Sequence, residues 1–449
     1  MFETLKNAFK VKEIRIKIYW TLLFLLLYRI GCYIPVPGIG TSLFPDGLEE
    51  NSYLSIMSMM TGGSLANGTL FAMGIGPYIN ASIIMQLLAV AIPPLERLSK
   101  QGEEGRKKIA AYTRYLTIAL AVIQSIGILL GYGDVYSGYA SLRSIIANGN
   151  VIKGQQGYAI ANFLSYFIIV LFYTAGTCVT MWIGERITEH GISNGISLLI
   201  FAGIIASAGI FFGQQFTIIF ANKGFDRVEF LKLIVYLLIV VIIFTAIIYV
   251  DLAERKISVQ YAKQVKGRKM YGGQSTVIPI KVNANGVMPL IFAFSIMTFP
   301  ELIMSLFKTT GDALSWWQTW LGSQSRYPFY AIILALLIVF FAFFYSQIQF
   351  NPEDISKTVQ QNGGFIPGIR PGKPTAEYLK RISNRLTLFG AIFLALLALV
   401  PTLIMNAMGI TGGGAFNATG MLICVSVALE FNTALESQIM MKNYKGFLK

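Results

Sequence analysis

The residues able to do bond chemistry are few, and their spacing does not suit it. His190 is the single histidine among 449 residues, so it cannot serve a nucleophilic triad and a metal pair together. No HExxH run occurs. The nearest approach to a phosphate-binding loop, GIRPGKPT at 368–375, has Pro374 where that loop needs Ser or Thr. Cys32, Cys178 and Cys424 are far apart and lie in or beside apolar runs, with neither metal-ligand spacing nor the even count of a disulfide framework. They read as small apolar residues. No catalytic residue, metal or cofactor is expected.

Charged groups are equally scarce where a solute carrier would use them. Such carriers bind ions and substrates near the bilayer midplane. The long apolar runs hold almost none there, the exceptions being Arg29 near one end of its run and Glu430 in the cytoplasmic half of the last. Glu430 reads as facing a wet cavity more readily than as a proton carrier.

The elements that must position the remaining residues are membrane helices. The chain is 55% hydrophobic and 13% charged, with a mean hydropathy of +0.61, against about 25% charged residues in soluble domains. Ten apolar runs are long enough to be spans: 20–34, 70–92, 112–130, 160–183, 196–212, 231–250, 287–306, 329–348, 386–405 and 421–439. With the N-terminus in the cytoplasm, 28 of the 36 Lys and Arg fall in cytoplasmic segments. The positive-inside rule therefore places both termini there. The opening residues are basic and amphipathic and lead into a full-length apolar run, so they are expected to stay on the protein.

Ten spans divide into five and five, and an odd number per half forces the second half to start from the opposite side, the topology of an inverted repeat. The expected fold is an all-α polytopic membrane protein with an N-terminal half at 1–219 and a C-terminal half at 220–449.

Three polar or irregular stretches break the pattern of a plain bundle. Between the first two spans, SYLSIMSMMTGGSLANGTLFAMGIGPY (52–78) is too apolar for a solvated loop and too rich in Gly, Ser, Thr and Asn for a lipid-facing helix. Either it re-enters the membrane inside a protein-lined cavity, as a short helix broken by Gly62 and Gly63, or it is a surface loop. The long loops at 251–286 and 350–385 are the other two. In the first, alternation at Ile257, Val259 and Tyr261 and again at Thr276, Ile278, Ile280 and Val282 predicts a hairpin whose tip, KQVKGRK, is basic. In the second, GGFIPGIRPGKPT is stiffened by Gly and Pro, and Thr375 is placed to cap the helix that follows. These bases serve topology, docking or both.

An ordered series of motifs then points to one family. YIPVPGI (33–39), GIGPYINASIIMQLL (74–88), EEGRKKIAAYTRY (103–115), ERITEHGISNGISLLIFAGI (185–204), NGVMPLIFA (285–293), FIPGIRPGKPTAEYL (365–379) and the C-terminal MMKNYKGFL together resemble the SecY family of protein-conducting channel subunits, over nearly the whole chain. The resemblance implies two inverted five-helix halves, an apolar ring at the waist, a plug helix and a lateral gate toward lipid. It assigns the ring to Ile79, Ile83, Ile200, Ile204, Ile291 and Ile423. The plug falls at about 53–66, with Ser55, Ile56, Met57, Met59, Met60, Gly62 and Gly63. Gln86 and Gln124 match a polar zone of the gate, and simple glue between helices explains them equally well.

Lys263, Lys266, Arg268, Lys269, Arg370 and Lys373 take the positions that dock partners. Those implied are SecE, SecG, the SecA motor ATPase and the ribosome, with signal peptides and unfolded secretory or membrane chains as substrates. The expected function is passive conduction of polypeptides across the bacterial cytoplasmic membrane, with no enzymatic activity. A small-solute transporter of inverted-repeat topology is the alternative.

Overall fold

The structure, a computed structural model, describes residues 6, 8–37, 58, 60–131, 158–221, 227–261, 264–266, 269–271, 275–283, 286, 288–306, 320, 329–408 and 418–446. Ser55, Ile56, Met57, Met59, Lys263 and Arg268 lie outside them. The chain groups into two compact units. One comprises Met1–Leu233, Ser295–Tyr330 and Gly409–Lys449, the other Ile234–Phe294 and Ala331–Met408.

The first unit is helical. Its elements are α1 (Lys12–Gly31), α2 (Gly76–Ala91), α3 (Pro93–Lys100), α4 (Glu103–Gly131), α5 (Tyr158–His190) and α6 (Gly195–Ala221), with α12 (Ala418–Gly446) returning from the end of the chain. In α1 the buried residues Ile14, Ile18, Thr21, Phe24, Tyr28 and Gly31 recur every three or four positions, so they form one stripe. Leu22, Leu23, Leu26 and Leu27, off that stripe, are exposed. A helix apolar on both sides is suited to a lipid solvent. The run expected at 70–92 is shorter as a helix, because residues 61–75 form turns and α2 begins at Gly76. Hydropathy cannot separate an apolar turn from an apolar helix. Here Gly62, Gly63, Gly68 and Gly74 take positive φ, which ends helical propagation. Pro93 and Pro94 then open α3, which turns 106° away from α2.

α7 (Arg227–Leu252) begins in the first unit and runs into the second. The second unit holds β1 (Glu254–Tyr261), β2 (Gln264–Lys266), β3 (Lys269–Tyr271) and β4 (Ser275–Lys281). After the start of α8 (Met288–Leu306) come α9 (Phe329–Gln349), α10 (Pro352–Gln361), β5 (Gly364–Phe365) and α11 (Lys373–Met408). The ten runs all carry helices. Seven of the described helices are long and apolar enough to cross a membrane alone, or eight if α2 and α3 count as one broken span.

The alternating loop is a hairpin, as its pattern requires. β1 and β4 pair antiparallel with Ile257 opposite Ile278, and β2 and β3 extend it with Lys266 opposite Lys269. The second long loop joins the same sheet. β5 pairs with β1 at Gln260–Phe365 and Tyr261–Gly364, giving the order β4-β1-β5. Pro279 sits in β4, an edge strand, where its missing N–H is tolerated. Behind the sheet, Ile257, Val259, Ile280, Val359, Ile366 and Leu379 form a buried cluster.

Side-chain bonds fix the ends of this module. Asn351 caps α10 by accepting from the N–H of Glu353 (3.2 Å), and Asn283 donates to Asp251 Oδ1 (2.7 Å) at the foot of the hairpin. The Ser356 hydroxyl donates to the carbonyl of Gly372 (2.7 Å) and that of Thr375 to the carbonyl of Arg370 (2.8 Å). Thr375 is thus no N-cap. The helix begins at Lys373, and the threonine inside its first turn ties back the loop that displays Arg370. α11 continues without a break to Met408, so the polar helix and the apolar run after it are one element.

Gly364 is the tightest point of the sheet. A Cβ there would meet Tyr261 Cε1 at 2.9 Å and both Val259 Cγ1 and Val359 Cγ1 at 3.1 Å. Gly364→Val is expected to cost about 1–3 kcal/mol by overpacking and to release β5 from β1. Hydrogen exchange of the 254–261 and 364–372 peptides should accelerate together, while that of α5 peptides stays unchanged.

Candidate functional site

The segment 60–75 is the least regular part of the described chain and among the most enclosed. Thr61, Ser64, Leu65, Thr69, Ala72 and Met73 are all buried. Broken backbone away from water needs internal partners, and the neighbouring chain supplies them. The N–H of Val36 donates to Gly68 O (3.1 Å) and that of Leu70 to Ile34 O (2.9 Å), around a bridge between Pro35 and Thr69. Ser64 Oγ donates to Cys32 O (3.4 Å), Thr69 Oγ1 to Ser64 Oγ (2.9 Å), and Thr180 Oγ1 on α5 to Gly74 O (3.0 Å).

Two glycines let the segment approach the helices around it. A Cβ at Gly176 on α5 would collide with the carbonyl of Leu70, and one at Gly203 on α6 with the carbonyl of Met60. On α1, Gly31 leaves room for the Phe71 ring, which stacks on Tyr28 at 5.7 Å and 9°. Leu65, Ala72 and Met73 pack with Ile128 and Leu129 of α4 and Ile169 and Tyr173 of α5. Four helices thus wall in one irregular stretch. Of the plug residues, Gly62 and Gly63 belong to it with positive φ, and Met60 is half-buried at its start.

The isoleucines divide between the units. In the first, Ile83 on α2, Ile200 and Ile204 on α6 and Ile423 on α12 are buried and Ile79 is half-buried. α12 packs against α6 and α2 against α4. Ile204, at 0% exposure, is wholly covered. Ile291, in the first turn of α8 in the second unit, is half-buried beside Phe292, whose ring meets those of Phe341 (5.6 Å) and Tyr345 (4.7 Å). Gln86 donates to Ser82 Oγ (3.0 Å) on its own helix. Gln124 on α4 is 2% exposed, and its Oε1 has no donor among the described residues. Arg370 is exposed on the loop before α11, and Lys373 is exposed as the first residue of that helix.

The sequence reading passed over several of these features. Gly176 and Gly203 resemble any glycine of a membrane helix, and only the carbonyls opposite them reveal their use. Gly191-Ile192-Ser193-Asn194-Gly195 has the spacing of a hydrolase nucleophile elbow, but it is the turn between α5 and α6. A Cβ on Gly195 would meet the carbonyl of Gly184, and Asn194 Oδ1 accepts from the Ile196 N–H (3.1 Å). That elbow needs a strand before the serine, and here a helix precedes it.

Known proteins share the sequence and the fold. A family model described as SecY matches residues 69–432. The chain belongs to the SecY family. Full-length relatives named protein translocase subunit SecY are 41% identical in Streptomyces galbus and 38% identical in Bacillus subtilis, with each chain covered completely. Among solved structures, a protein-conducting channel aligns with a TM-score of 0.66 at 21% identity over 94% of this chain and 92% of its own. Sec61 in a canine ribosome-channel complex aligns at 0.62 and 19%, with the same coverage. These likenesses establish a SecY-type helical channel fold.

The glycine contacts predict a position-specific effect. Gly203→Val should push the Met60 carbonyl out of place and raise resting ion leak several-fold in reconstituted vesicles. Gly209→Val, on the same helix with nothing within 4 Å of its Cβ, should leave leak unchanged.

Proposed function

We propose that the chain is a passive protein-conducting channel, through which unfolded secretory polypeptides cross the bacterial cytoplasmic membrane and apolar signal or transmembrane segments leave sideways into lipid. The observation that carries this reading is the 60–75 segment, irregular and glycine-rich in a SecY-family chain, held by hydroxyls and glycine contacts rather than by a continuous helix. It forms the root of a plug spanning about 53–66, whose other residues include Ser55, Ile56, Met57 and Met59. Such a hold is strong enough to seal and weak enough to release.

The ring is Ile79, Ile83, Ile200, Ile204, Ile291 and Ile423. An apolar constriction excludes ions by expelling water, and its side chains part around a polypeptide without selecting a sequence. Gln86 and Gln124 lie at the lateral gate, where amides hydrogen-bond across helices with modest strength. Ten spans form two inverted halves, 1–219 and 220–449, with both termini cytoplasmic, as the distribution of Lys and Arg supports. Energy comes from outside the channel, since the sequence carries no nucleotide-binding loop.

The sheet module built from loops 251–286 and 350–385 is the docking platform for the SecA motor or the ribosome, and the SecE and SecG subunits complete the complex. Lys263, Lys266, Arg268 and Lys269 form its hairpin tip, and Arg370 and Lys373 its second prong. Basic side chains suit ribosomal RNA through phosphate contacts.

A stalled secretory chain bearing a photocrosslinker is expected to label Ile83 and Ile291, and labelling of neither would sink the pore assignment. Ile423→Asn should let water into the constriction, raising ion conductance and allowing export of a signal-defective precursor, and unchanged values for both would count against the ring. Arg370→Glu should reduce translocation by at least about tenfold by reversing charge at a partner contact, with assembly and membrane insertion intact. Normal rates with both SecA and ribosomes would reduce Arg370 to a topological charge.

A further inference from the structure

Arg29 lies in the last turn of α1 with its guanidinium against the root of the plug segment. The ring of Tyr33 lies 5.6 Å from the guanidinium carbon, and Nη2 reaches Tyr33 Oη at a long 3.5 Å. Nη1 is buried, has no acceptor among the described residues, and sits where a Cβ on Gly62 would be. Gly62 is backed on its other side by α6, where the same Cβ would lie 3.2 Å from Gly203 O and 3.3 Å from Ala206 Cβ. Nearby polar groups are already engaged, with Cys32 Sγ donating to Thr61 O (3.8 Å) and Ser64 Oγ to Cys32 O.

A charged donor buried without an acceptor raises the energy of the state that buries it. That state is the packed one. Once residues 60–63 withdraw from α1, Nη1 is free to meet water and the penalty ends, while the stacking on Tyr33, entirely within one stretch of chain, persists. We infer that Arg29 works against the seal: its Nη1, without an acceptor among the described residues, destabilises the packed segment and so sets how readily an arriving polypeptide displaces it. The inference rests on reading 60–75 as the root of the seal. It assigns Arg29 a sign opposite to that of a structural anchor, whose loss would loosen the segment.

Cys32 is a native reporter, since it is 3% exposed and Thr61 and Ser64 bond to it from the segment. In the full channel complex in vesicles, the rate at which a water-soluble maleimide modifies Cys32, read by peptide mass spectrometry to separate it from Cys178 and Cys424, measures displacement. Arg29→Met removes the buried donor and keeps the apolar stem. It should slow labelling by about tenfold, equivalent to about 1.4 kcal/mol, and reduce export of precursors with weak signal sequences. Arg29→Lys keeps a cation and should label close to the parent rate. Unchanged or faster labelling in Arg29→Met overturns the inference. Gly62→Val, which drives a side chain into Nη1 at a positive φ, separates the two readings. If it speeds Cys32 labelling and raises ion leak while Arg29→Met changes nothing, the seal stands and the role of Arg29 falls. If it speeds labelling with no leak, the segment is no seal and both readings fall.

Discussion

Backbone without water must find its partners in the protein, and the interior of the first unit is organised around that need at residues 60–75. A continuous helix would satisfy itself. This stretch instead borrows from Ile34, Cys32 and Thr180, and it lies so close to α5 and α6 that its carbonyls rest where side chains would otherwise be. Each borrowing fixes a residue type, with glycine at 31, 176 and 203, a hydroxyl at 180 on α5 and at 64 and 69 within the segment, and an aromatic pair at Tyr28 and Phe71. Individually the bonds are worth about 0.5–1.5 kcal/mol, so the segment is held by many small terms, none of which is decisive.

The second unit meets a different requirement. Its loops stand outside the apolar runs and must keep their shape with little hydrophobic material. They do so by sharing it. The cluster under the sheet draws on β1, β4, α10, the loop after β5 and α11, and two hydroxyl bonds, Ser356 to Gly372 and Thr375 to Arg370, hold the Gly/Pro loop in place. Below it, Ser346 bonds both Ser383 (3.3 Å) and Thr387 (2.8 Å), joining α9 to α11. The exposed bases therefore stand on a fixed base.

The helices were legible in the sequence because lipid demands long apolar runs, and the hairpin because a half-buried strand alternates with period two. Where the sequence misled, the physics lacked a local sign. An apolar turn and an apolar helix have the same hydropathy, so α2 was expected to start before Gly76. A polar helix joined to an apolar one looks like two elements, although α11 is one. β5 is two residues long and pairs with a strand more than one hundred residues away, beyond any windowed pattern. The six isoleucines are ordinary in composition and were singled out by family likeness alone. The arginine at 29 was visible as a stray charge, whereas its neighbour across the gap, Gly62, became evident only when the chain was folded.

The pairing of β1 with β5 also bears on how the protein is made. Between Tyr261 and Gly364 lie α8 and α9, and a chain emerging in order presents the hairpin long before the strand that completes its sheet. The module stays open at that edge throughout the synthesis of both helices. Closure of this small sheet is thus a late step, made by a strand of two residues that pairs back across the hundred before it.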